Sequence, residues 1–392
     1  MKYDFDRAVE RTGTGSIKWD HVDEIFGGSG LLPLWVADMD FQSPPEVTEA
    51  LIERARHGVF GYTSADTACR NAMIGWFRDH HGWSIDPSWL HYAPGVVPAI
   101  NLLIRTFTEP GDRVIIQKPV YHPFITAVRN NGREIANNPL ILDDGIYRID
   151  FDDLERITTG NGARLLILCN PHNPVGRAWR REELARLGRI CAERGILVIS
   201  AEIHCDLVHP GFRHVPFATA GEPCLMNSIT CLSPGKTFNL AGLQTADLVI
   251  PREEHRRAYQ RALEGMGIQG PNIFAIEAAR AAYAHGWPWL DEVMKYIGDN
   301  LAYLKGFIMS EMAGVRVIKP EATYLVWLDF RGLGLDEKGL KRLLRERARV
   351  ALVEGRVFGS PEGDGFARIN IACPRPILAE ALARIQNALD SL

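Results

Sequence analysis

Short apolar runs with no polar alternation recur through the middle of this chain: Val114-Ile115-Ile116, Leu165-Leu166-Ile167-Leu168-Cys169, Ile196-Leu197-Val198-Ile199 and Ile229-Thr230-Cys231-Leu232. Asp247-Leu248-Val249-Ile250 closes the series. A strand that faces water on one side alternates polar with apolar; a strand without alternation is covered on both faces. The stretch Arg181–Arg194 has helical spacing, with Leu184, Leu187 and Cys191 on one side. Strands separated by such helices read as βαβ units, so the chain is expected to form an α/β fold around a mostly parallel sheet between helices. Ligands bind such sheets at loops beyond the strand C-termini. Here those loops carry Tyr121, Asn173, the 201–206 segment and Lys236.

The flanks read differently. Residues 1–30 are polar and Gly-rich, an irregular arm. Ser43-Pro44-Pro45-Glu46 reads as an N-cap with early prolines, starting a helix that runs to about Arg56. A loop at Gly61-Tyr62-Thr63 precedes an amphipathic helix near Asp66–His80. Beyond Pro271 come helical patterns over Asn272–His285 and Pro288–Met312. Strands at Val315–Ile318, Tyr324–Leu328 and Arg368–Ala372 then mix with helices near Glu337–Ala348 and Ile377–Leu389. We expect a large domain over residues 49–287, and a smaller α+β domain formed by 288–392 together with the arm, 1–48.

Composition excludes several classes. A net charge of −4 over 392 residues offers no basic field for nucleic acid. No run approaches the roughly 18 apolar residues of a membrane span, and Met1-Lys2-Tyr3-Asp4-Phe5-Asp6 has no hydrophobic signal core. Seven cysteines without a C-x-x-C pair fit a reducing compartment. A cytoplasmic protein is expected.

The chemistry centres on Ser233-Pro234-Gly235-Lys236-Thr237-Phe238-Asn239-Leu240-Ala241-Gly242, just past an apolar strand. Small residues let backbone amides approach an anion, and an amine beside such a pocket suits a carbonyl cofactor. The same lysine could equally be a solvated charge on a turn. Gly95 and the backbone of Val96 and Val97 open a helix that could bind phosphate or simply turn. Tyr62 and Tyr121 could be packing aromatics, His204 a core histidine, Ser233 a turn cap, and Arg368 the partner of Asp364. Arg375 reads as structural. Asp38 and Asp40 lack the neighbours that would complete a metal site.

Taken in register, six segments resemble the class I/II aminotransferase fold, fold type I of the pyridoxal 5'-phosphate (PLP) enzymes. They are Trp35–Phe41, Pro94–Val97, Asn170-Pro171-His172-Asn173-Pro174-Val175-Gly176, Glu202–Asp206, Ser233–Gly242 and Arg368–Arg375. The resemblance is strongest to the cystathionine β-lyase branch, the C–S lyases of the MalY and PatB type. It implies that Lys236 bonds covalently to the cofactor and moves the Cα proton. Tyr121 stacks on the pyridine and completes the catalytic pair. Gly95, Val96, Val97 and Ser233 hold the phosphate, while Asn173 and His204 lie near the ring hydroxyl. Arg368 clamps the substrate carboxylate, with Trp35, Ala37 and Asp38 forming the other wall. Tyr62 reaches the cofactor of a neighbouring subunit, which implies a homodimer.

Two positions depart from the family pattern. Ala201 stands where the family carries the aspartate that pairs with the pyridine nitrogen, and Gly235 where relatives usually carry serine. Glu202 should face away from the ring, because successive strand residues alternate sides. Without the acid, transamination suffers more than β-elimination, which favours a lyase. The expected activity is therefore cleavage of L-cystathionine or related S-substituted cysteines to pyruvate, ammonia and a thiol. The alternatives are an aminotransferase or another PLP-dependent tailoring enzyme, and a PLP-binding regulatory protein with little turnover.

Overall fold

The computed structural model describes residues 2–159, 163–268 and 270–392. Its central sheet has seven strands: β1 (Leu90–Ala93), β2 (Arg113–Ile116), β3 (Glu134–Asn137), β4 (Ala163–Cys169), β5 (Leu197–Ala201), β6 (Ser228–Leu232) and β7 (Ala246–Val249). Their spatial order is β1-β7-β6-β5-β4-β2-β3. The pairs β2–β3, β2–β4, β4–β5 and β5–β6 are parallel. Strand β7 runs antiparallel to both neighbours. A parallel return needs a crossover, usually a full helix. Between β6 and β7 there are only the four-residue helical turn Pro234–Thr237 and the short 3-10 turn Ala241–Leu243. The chain therefore turns back on itself at the end of the sheet where Lys236 lies.

The central strands are buried along their whole length, and alternate residues enter two separate cores. Ile167, Ile199 and Ile229 pack with Leu103 and Ile104 of the helix Val96–Phe107. Leu166, Leu168 and Val198 pack with Leu184, Leu187 and Cys191 of the helix Arg181–Glu193. Each such side chain contributes roughly 1.5–3 kcal/mol of burial, which is why these strands carry no polar face. Strands β1 and β3 lie at the two edges, are only partly buried, and show no apolar run. The apolar-run criterion consequently misses both.

A second, antiparallel sheet contains β8 (Arg316–Val317), β9 (Leu325–Asp329), β10 (Val353–Glu354) and β11 (Phe366–Asn370), in the order β8-β9-β11-β10. The helix Trp287–Glu311 turns Ile297, Leu301 and Leu304 into one core with Val326, Leu328 and Ile369, and with Leu382 of the helix Arg375–Leu389.

Two expectations about the N-terminal part need correction. The arm is not wholly irregular, since Ile17–Asp20 and Val22–Phe26 are short helices and Lys18 is buried. The helix Pro45–His57 does begin with proline, but Ser43 does not cap it; its hydroxyl donates to the Asn239 carbonyl, 3.2 Å away. Among the described residues, no helix is long and apolar enough to cross a membrane.

Candidate active site

The loops at the C-terminal ends of β4, β5 and β6 meet the N-terminus of the helix Val96–Phe107 around a cavity of about 320 Å³. Gly95, with φ +133°, precedes that helix. A side chain is strained in this conformation, so glycine delivers the chain to the cavity while leaving the first helical amides without intrahelical partners. Val96 and Val97 line the wall beside them. The floor is formed by the last residues of two paired strands, Cys169 and Ala201, which lie side by side in register.

Lys236 lines the cavity on the turn after β6. Three side chains hold that turn. The Ser233 hydroxyl accepts from the Gly235 amide at 3.1 Å and donates to the Thr245 carbonyl at 2.8 Å. Thr237 donates to Asp206 at 2.6 Å. The Asn239 side chain bonds the backbone of Met39 in both directions and also donates to the Phe41 carbonyl. Asp206 is a buried hub that accepts from His81 and Trp76 as well. Burial would raise its pKa, but hydrogen bonds from His81, Thr237 and Trp76 outweigh that and hold it down at about 2. His81, Cys205 and Asp206 do converge, yet the carboxylate is already occupied by these three donors.

Asn239 thereby joins the lysine turn to the loop Trp35–Asp40. On that loop the Ala37 carbonyl accepts from the Lys236 amine at 2.6 Å and from the Tyr324 hydroxyl at 3.0 Å. Burial pulls the Lys236 ammonium down to about 8. The nearby Asp38 opposes the fall, and Arg368 adds to it. Asp38 itself is turned to Arg11, at 2.6 Å, and to the buried Lys18. Arg11 and Lys18 also bind Asp40, so the arm pins the loop from behind.

Arg368, on β11, donates to the Asn173 side-chain oxygen at 3.0 Å and to the Trp35 carbonyl at 2.8 Å. It does not pair with Asp364, whose carboxylate takes the Ser360 hydroxyl. Its guanidinium lies 4.9 Å from the Phe358 ring centroid. Burial pulls its pKa to about 10, leaving it cationic near neutral pH. Among the described residues its Nε is buried without a partner, and so is Nδ1 of His204. Buried polar atoms are seldom left unpaired, so an arginine with a free nitrogen suits an incoming carboxylate. Burial, reinforced by Lys236 and Arg368, pulls His204 to about 3, so the ring is neutral. Arg375, read as structural, binds Asn300 and covers Tyr303.

No carboxylate lines this cavity among the described residues. Glu202 points to the other side of the sheet, where Ser200, His214 and the Phe217 amide occupy it. Burial pushes the Cys169 thiol up to about 12, so it is neutral too.

Of the residues singled out in the sequence, the cavity collects Gly95, Val96, Val97, Tyr121, Asn173, His204, Ser233 and Lys236. Arg368 and the Trp35–Asp38 loop adjoin them through Asn173 and Lys236. Tyr62 stands apart and fully exposed, outside this chain's cavity. Sequence reasoning missed Cys169, which reads as a strand end, and Tyr324, which reads as core.

A lysine amine with a lowered pKa, helix amides for a phosphate and an aromatic wall at Tyr121 fit a carbonyl cofactor with an anionic arm. This site and fold define a PLP-dependent enzyme of fold type I. Residues 29–385 match the aminotransferase class I and II family, and the chain belongs to it. The chain is 46% identical to cystathionine beta-lyase PatB of Bacillus subtilis, over 98% of this chain and 100% of that protein. It is 36% identical to the protein MalY of Escherichia coli over 100% of both chains. The crystal structure of cystalysin from Treponema denticola, which contains a pyridoxal 5'-phosphate cofactor, superposes with a TM-score of 0.96 at 35% identity, covering 100% of both chains.

Proposed function

We propose that this chain is a PLP-dependent C–S β-lyase. It consumes L-cystathionine or a related S-substituted cysteine and one water, and releases pyruvate, ammonia and a thiol. The observation that carries this reading is one acid-free cavity with the Lys236 amine on one side and Arg368 adjoining the other. When bound, PLP joins its aldehyde to an amine and withdraws electrons from the substrate Cα. Around it, the amides of Gly95, Val96 and Val97 would hold the phosphate, joined by the Ser233 hydroxyl once it turns from the Thr245 carbonyl, and Tyr121 would cover the ring. Neutral His204 and the Asn173 amide, both on the cavity wall, would face the ring oxygen. Arg368 holds the substrate carboxylate against the wall formed by Trp35, Ala37 and Asp38. Lys236 takes the Cα proton, after which the Cβ–S bond breaks and its electron pair leaves with sulfur.

The test is direct. The purified protein with PLP and L-cystathionine should release pyruvate without any added amino acceptor. A strict need for a keto acid would instead identify an aminotransferase, and bound PLP without turnover a regulatory protein.

Arg368→Lys should raise KM about tenfold while leaving cofactor affinity unchanged. Lysine cannot make the paired, parallel bonds of a guanidinium, and one charged hydrogen bond contributes roughly 1.5–3 kcal/mol. Steady-state kinetics and a cofactor titration check this; a loss of PLP affinity with KM intact would reassign the residue.

The homodimer is part of the same reading. Tyr62, with Val59 and Phe60, forms an exposed apolar strip of the kind that marks association surfaces. Its hydroxyl reaches the phosphate held by the partner subunit. Tyr62→Phe should then release PLP several times faster on dialysis, with all activity eluting as the dimer. A fully active monomer would contradict it. Two further elements complete the reading. The two separate sheets support a large unit over 49–287 and a smaller one of 1–48 with 288–392. Seven free cysteines suit the cytoplasm.

A further inference from the structure

We propose that the Ala37 carbonyl, held in place by Tyr324, is the station of the Lys236 amine whenever it is not joined to the cofactor, which makes Tyr324 a positioning residue for the proton transfers of Lys236. The inference rests on the lyase reading above and adds a residue to it.

The geometry is a shared acceptor. One carbonyl oxygen receives both the Lys236 amine, at 2.6 Å, and the Tyr324 hydroxyl, at 3.0 Å. That carbonyl is held rigidly. Its neighbours on the loop, the carbonyls of Val36 and Asp38, both accept from Asn370 at 2.6 Å. Met39 is fixed on the next side by Asn239. A lysine amine sits on a flexible four-carbon stem, so a fixed acceptor decides where it rests. Asp38 carries the nearest opposite charge, but Arg11 and Lys18 hold its carboxylate. The Ala37 oxygen is what the amine finds.

Tyr324 gives the arrangement its second state. When Lys236 leaves the carbonyl to engage another group, a buried acceptor without a donor would oppose the move. Tyr324 remains as that donor, so the lysine can depart and return without orphaning the oxygen. Burial, with Asp38 adding to it, keeps the phenol protonated, so it acts as a donor and not as a base. The backbone points the same way. Thr323, immediately before it, has φ +72°, a conformation that β-branched residues rarely adopt and that tends to cluster at functional sites. The strain sits where the chain turns Tyr324 into the start of β9, with its ring edge-on to His204 at 6.0 Å.

The test is Tyr324→Phe in the full chain. Only a hydroxyl is removed and Lys236 still occupies the Ala37 oxygen, so the fold should survive. With PLP and an S-substituted cysteine, kcat should fall at least tenfold while KM stays within about twofold. Deuterium at Cα should slow the variant more than the parent, because the impaired step is proton transfer. A second readout needs no substrate or cofactor. Competitive acetylation of Lys236 against pH, read by mass spectrometry, reports where the amine loses its proton. The groups facing that amine are Asp38, Arg368 and neutral His204, besides Tyr324. Two donors on one oxygen weaken each other. Removing the phenol leaves the oxygen to the ammonium, so the midpoint should rise by about half a pH unit. An unchanged midpoint overturns the proposal, as does a fall in kcat with an unchanged isotope effect. If the parent cleaves no S-substituted cysteine, the lyase reading fails, and the acetylation midpoint alone still decides the role of Tyr324.

Discussion

Lys236→Ala is expected to abolish pyruvate release from every S-substituted cysteine, a loss of at least about 10⁴-fold. Proton transfer by a positioned side chain alone accounts for roughly 10²–10⁴-fold, and in the function proposed above this residue is also the point of covalent attachment for the cofactor. The loss should come without unfolding. In the variant the Ala37 carbonyl keeps Tyr324 as a donor, and the turn around residue 236 keeps its anchors at Asp206, Thr245 and Met39. The visible absorbance of attached PLP should disappear as well. Borohydride reduction followed by mass spectrometry is the decisive measurement, because it fixes PLP wherever it is joined to an amine. Cofactor fixed to the Lys236→Ala protein would place the attachment on another lysine and end the assignment.

Ala201→Asp is expected to act in the opposite sense. Ala201 ends β5 on the cavity floor beside Cys169, and no carboxylate lines it among the described residues. A ring nitrogen bound over this floor has no anion to hold a proton on it. An aspartate there would gain an ionised partner, since opposite charges at hydrogen-bond distance favour both charged forms. One charge-assisted hydrogen bond contributes roughly 1.5–3 kcal/mol, so the PLP dissociation constant of the variant should fall about ten- to a hundredfold. Elimination uses the electron pair at Cα directly to expel the leaving group from Cβ, whereas transamination needs charge to reach the ring. The ratio of transamination to elimination should therefore rise at least about tenfold. Pyruvate and pyridoxamine phosphate, measured side by side with the PLP dissociation constant, test both claims. If all three are unchanged, residue 201 does not face the ring and the reading of the floor is wrong.

Parts of this site are local in origin and were therefore legible in one dimension. An apolar run such as Leu165–Cys169 names a strand covered on both faces, because burial acts on each residue of the strand. A glycine such as Gly95 reflects a backbone angle that other residues reach only under strain. Lys236 belongs here as well, since a lysine among small residues just past a strand end is a local pattern. The orientation of Glu202 away from the ring followed from strand alternation alone, and the structure places it on the far side of the sheet.

Other features were decided by packing. Strands β1 and β3 lie at the sheet edges, where only part of each strand is covered and no apolar run is required. The reversal of β7 came from a connection too short for a crossover helix, although 247–250 reads like its parallel neighbours. The partners of Arg368 are 195 residues away at Asn173 and 333 residues away at Trp35, so nothing near it in the chain points to them. The nearby Asp364 suggested a pairing that the structure does not make. Tyr324 is the plainest case. By sequence it is an aromatic at the start of a core strand, and only the fold brings its hydroxyl to the carbonyl that also holds Lys236. Local backbone preference and burial set the strands and the lysine turn; long-range contact set which side chains that lysine meets.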